Sequence, residues 1–99
     1  MATRKNRTYS TLNPTQRKDI LKQQIQQFEQ EMFGHDMNAT RAQALLDAQP
    51  DPASITDDEK RAAVEQKRSD LQQIIDNSND AMDTLESAIA TTKATQAAL

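Results

Sequence analysis

Apolar side chains in this chain recur in alternating steps of four and three residues, forming two ladders separated by a proline-rich break. Leu21, Ile25, Phe28, Met32, His35, Ala39, Ala42 and Leu46 share one stripe, interrupted only by the imidazole, while Val64, Leu71, Ile75, Met82, Leu85 and Ile89 share another. That spacing brings each set to one side of an α-helix. Between the ladders lies the run from Gln49 to Ile55, whose Pro50 and Pro52 cannot both sit inside a helix. The pattern predicts an all-α fold, an antiparallel two-helix hairpin resembling a coiled coil. Its helices fall at about 14–48 and 56–97, with a hinge at 49–55.

Local signals mark the helix ends. Asn13 offers a capping oxygen, Pro14 suits the first helical position, and Gln16 stands where a capping-box partner belongs. Thr56 and Glu59 have the spacing of a second capping box, and Asp57, Asp58 and Glu59 put acids where the helix dipole favours them. Gly34 leaves the first helix two courses, a continuous path with a kink, or a break and a restart capped by Asp36 or Asn38. The ladder keeps its step across Gly34, from Met32 to His35 to Ala39, which favours continuity.

A hairpin can pair its ladders in more than one register. Setting Leu46 against Val64 aligns the whole series, and a slip of one heptad toward a tighter loop does so equally well. Polar residues interrupt the stripes at His35, Arg68, Ser78, Thr92 and Gln96, where they can specify register and association state. Ile20, Phe33, Met37, Leu45 and Ile74 lie beside the stripes and widen them. Phe33, Met37, Leu45 and Ile74 are therefore the candidate contacts for a partner on the helix face.

Only 35% of the residues are hydrophobic, too few for a second core in 99 residues, so one helical domain (13–99) follows an extended polar arm (1–12). Charge is graded along the chain. Residues 1–19 carry Arg4, Lys5, Arg7, Arg17 and Lys18 against Asp19, whereas residues 71–99 carry Asp76, Asp80, Asp83 and Glu86 against Lys93. Arg4, Lys5, Arg7 and Tyr9 make the arm a candidate for docking on an acidic protein surface, or for phosphate contact with base stacking on a nucleic acid.

Enzyme chemistry finds little support. The chain has no cysteine, one histidine and one glycine, which removes thiolate sites, the usual nucleophilic triads and glycine-rich phosphate loops. Glu31 and His35 stand one helical turn apart, but a metal site needs three or four ligands and no second imidazole or thiolate is available. No catalytic, cofactor-binding or metal residues are assigned, and no cofactor or small-molecule substrate is expected. No apolar run approaches a membrane span, and the basic start leads into polar residues instead of the apolar core of a secretory signal. A soluble location, intracellular or within a macromolecular assembly, is the expectation.

The resulting picture is a non-enzymatic structural or interaction protein, a helical subunit that forms homo-oligomers or joins a larger complex such as a virion. Two alternatives remain, a nucleic-acid accessory protein acting through the arm, and an inhibitor whose acidic surface, Asp76, Asp80, Asp83 and Glu86, captures a protein partner.

Overall fold

The structure is a computed structural model that describes residues 12–99, and helices account for 88% of them. Helix α1 spans Pro14–Asp47 and helix α2 spans Asp58–Ala97. They pack against each other as the expected antiparallel hairpin, with no strand among the described residues. A 40-residue helix is about 60 Å long, and the longest dimension of the molecule is 69 Å. Its radius of gyration, 21.7 Å, far exceeds the ~13 Å of a globular domain of similar length. The molecule is a thin rod, with little interior in which to hide apolar surface.

α1 begins at the expected box. The Gln16 amide N–H donates to Asn13 Oδ1 at 2.8 Å, and the Asn13 amide N–H donates back to Gln16 Oε1 at 3.1 Å. The helix then runs unbroken through Gly34, where a Cβ would meet nothing within 4 Å. Continuity prevails because the flanking seam residues keep their four-three step, and the hairpin accommodates a helix bend of 22° without interruption.

The start of α2 differs in detail from the expected box. Asp57, and not Thr56, is the cap, its Oδ1 accepting the Lys60 amide N–H at 2.9 Å. A carboxylate is a stronger acceptor than a hydroxyl and gains from the helix dipole, so the cap moves one residue on and leaves Asp58 and Glu59 in the first turn.

The hinge is an ordered structure. Asp51 caps a short 3-10 turn, Pro52–Ser54, by accepting the Ala53 amide N–H at 3.0 Å. Arg61 of α2 reaches back to donate to the Ile55 carbonyl at 3.2 Å. The connection thereby lies along the first turns of α2 instead of closing tightly. As a result, Leu46 clusters with Ala42, Leu71 and Ile75, farther along α2 than a pairing with Val64.

Two polar seam residues hold this register. Gln96 Nε2 donates to the Lys18 carbonyl at 2.9 Å, and Arg68 Nη1 approaches the Leu46 carbonyl at 3.5 Å. Both bonds cross between the helices, one at each end of the rod, and 96 with 18, like 68 with 46, sums to 114. Arg68 also brings a cation to the C-terminus of α1, whose own last turn has none.

Candidate docking surfaces on the hairpin

Both ladders face the seam. The buried residues are Ile25, Ala42 and Leu46 of α1 with Leu71, Ile75 and Ser78 of α2. Leu21, Phe28, Met32, Met82, Leu85 and Ile89 are only half-buried, and no large side chain among the described residues is fully enclosed. Two helices cover one side of each stripe, and no other element among the described residues covers the flanks.

With the seam residues as a and d of a heptad, the g and c positions of both helices share one broad face of the rod, and the e and b positions share the other. On the g/c face, Leu45 and Ile74 line a groove with Ala42 and Leu71, with Arg41 and Asn77 at its rims. Leu45 is 47% exposed and Ile74 45%. On the e/b face, Phe33, 65% exposed, shares a shallow trough with Met32 and Met82 beside Glu29 and Asp36. Met37 follows His35 by two residues and precedes Ala39 by two, which puts it on the back of α1, away from the seam.

The four candidates are thus exposed, but they form no single surface. Leu45 and Ile74 come together, Phe33 lies on the opposite face, and Met37 stands apart. Heptad position would have separated them from the sequence, because Leu45 and Ile74 are both g, Phe33 is b and Met37 is f. Arg4, Lys5, Arg7 and Tyr9 lie outside the described residues.

Charge divides along the same line. The e/b face carries Asp19, Glu29, Asp36 and Asp47 on α1, together with Asp58, Glu65, Asp76, Asp83 and Glu86 on α2. Among the described residues, Lys22 and Lys93 share that face with these nine carboxylates, and Arg61 pairs with Asp58 from the seam. The g/c face carries Arg17, Arg41, Lys60 and Lys67 against Glu31 and Asp70. It is also rich in small residues, Gly34, Ala63, Ala81 and Ala88 among them, and the last two are half-buried. This polarity across the width of the rod is separate from the end-to-end gradient.

Among the described residues, no three His, Asp or Glu side chains come together as a metal site would require. His35 is half-buried in the seam and Glu31 is exposed. Among the same residues, no helix is long and apolar enough to cross a membrane. Compared with known proteins, the chain matches no family model, no curated protein and no solved structure.

Proposed function

We propose that this chain is a non-enzymatic structural or interaction subunit that works by helix-face burial, completing its hydrophobic packing through self-association or within a multi-subunit particle such as a virion. The carrying observation is the deficit of enclosed apolar surface. Among the described residues, five hydrophobic residues are buried, while Ile20, Phe33, Met37, Leu45 and Ile74 remain exposed on a rod one helix pair thick. Chain entropy lost on folding rises with every ordered residue, whereas a two-helix seam buries one stripe per helix. A partner that covers a flank adds burial at little further entropy cost.

Urea unfolding of the isolated chain at submicromolar concentration, followed by circular dichroism, tests this reading. The expected outcome is an unfolding free energy below about 5 kcal/mol, the lower edge of the range for independent domains. A value well above about 10 kcal/mol for a monomer would remove the need for company.

The acid-rich e/b face supports a second reading, capture of a basic protein partner through a surface that includes Asp76, Asp83 and Glu86. Asp80, at the back of α2, extends that acidic strip. Lysine substitution at these four positions should abolish such capture, and unchanged binding to the basic partner would exclude it.

A further inference from the structure

We infer that the basic arm of this chain folds back onto its own hairpin and docks on the e/b face, with Arg4, Lys5 and Arg7 among the carboxylates around the apolar trough at Phe33. The inference goes beyond the assembly reading, because the groove between Leu45 and Ile74 on the opposite face stays open to a neighbour. The arm joins α1 at Asn13, at the end of the rod where α2 finishes, and the chain bends at Leu12, which is half-buried. In the register marked by the Gln96 bond to Lys18, Glu86 and Asp83 of α2 stand near the levels of Phe28 and Glu31 of α1. With Glu29 and Asp36 they flank the trough, about 23 to 35 Å along the rod from Asn13 at the rise of an α-helix. All four carboxylates belong to exposed residues. An extended arm carries Arg7, Lys5 and Arg4 to about 20 to 32 Å from Asn13, and their own side chains reach farther. The two spans match.

The order of charges agrees as well. Lys22 and Lys93 of this face stand about 13 Å from Asn13, level with the uncharged run from Thr8 to Leu12, so the cations of the arm fall beyond them and among acids. Within the same reach on the g/c face, the charged side chains among the described residues are Arg17 and Glu31. The e/b face is therefore the one that attracts the arm. Exposed ion pairs are weak singly and are screened by salt, so the docking depends on several acting together. Attachment strengthens it, since a tethered segment acts at an effective concentration of roughly millimolar. A basic partner captured at this face must first displace the arm.

Paramagnetic relaxation measured by nuclear magnetic resonance on the full chain tests this docking, with a nitroxide attached through Thr3→Cys, the sole thiol in a chain that otherwise has none. Circular dichroism of each variant checks that both helices persist. At low salt the amide signals of residues 29–36 and 82–86 should lose most of their intensity, while those of residues 52–62 near the hinge keep theirs. Glu29→Lys with Asp83→Lys and Glu86→Lys should restore the lost signals, whereas Glu31→Lys on the other face should not. Adding Arg4→Glu, Lys5→Glu and Arg7→Glu to the three lysines should bring the loss back. Full intensity at 29–36 and 82–86 in the parent chain, or a loss that survives the three lysines, would overturn the inference. So would a loss on isotope-labelled copies without nitroxide when they are mixed with the nitroxide-bearing chain, because the arm would then dock on a neighbour. That last result would leave the assembly reading standing, and the urea measurement decides that reading separately.

Discussion

Leu71 and Leu85 are the same residue at the same heptad position of one helix, yet Leu71 is 3% exposed and Leu85 is only half-buried. The difference lies in their neighbourhoods. Leu71 clusters with Ala42, Leu46 and Ile75, near small residues that let the helices approach, and toward the end where the hinge lies along α2. Leu85 belongs to the stretch lined by Phe28, Met32, Met82 and Ile89, all half-buried, where larger side chains stand between two helices with open flanks. Periodicity alone therefore does not make a core. The half near the hinge closes on itself, whereas in the half toward the chain ends Ile25 is buried and the larger seam residues around it are covered only in part.

The largest expected effect comes from truncating the two leucines. Leu71→Ala should destabilise the chain by about 3 kcal/mol in urea unfolding, and Leu85→Ala by about half as much, because a half-exposed side chain loses less on deletion. Equal losses would erase the distinction. Next come the caps. Asp57→Ala should cost about 1 kcal/mol, whereas Asn13→Ala at the far end should cost less in global unfolding and show chiefly as lost helix signal at low temperature.

Gly34→Ala should act in the opposite direction. Its Cβ would enter open space, so the variant should gain about 1 kcal/mol and a higher melting temperature. A loss instead would mean that something approaches that backbone closely in the native assembly. The smallest effect is expected for Gln96→Ala, which removes an exposed bond to the Lys18 carbonyl and should cost roughly 0.5 kcal/mol or less. A larger loss would show that the far end is held more firmly than its burial implies.

Much of the hairpin is legible in the residues themselves. The four-three ladders, Pro50 with Pro52, and the Asn13–Gln16 box locate both helices and their direction, since each acts over a few residues. Register is not local. A heptad pattern matches itself after every seven residues, and the choice falls to the hinge conformation and to the reach of Arg68 and Gln96. Those two stand out in the sequence as polar interruptions, but their backbone partners do not. The flanking residues were legible only as a group, and dividing them between faces required the heptad frame.

Amide hydrogen exchange, resolved by residue and repeated at low and high protein concentration, tests the central contrast most directly. In dilute solution protection should centre on 39–46 and 68–78 and fall away through Leu21–Met32 and Met82–Thr92, and it should spread along the rod as concentration rises. Uniform protection along both helices of a dilute monomer, unchanged by concentration, would contradict the account.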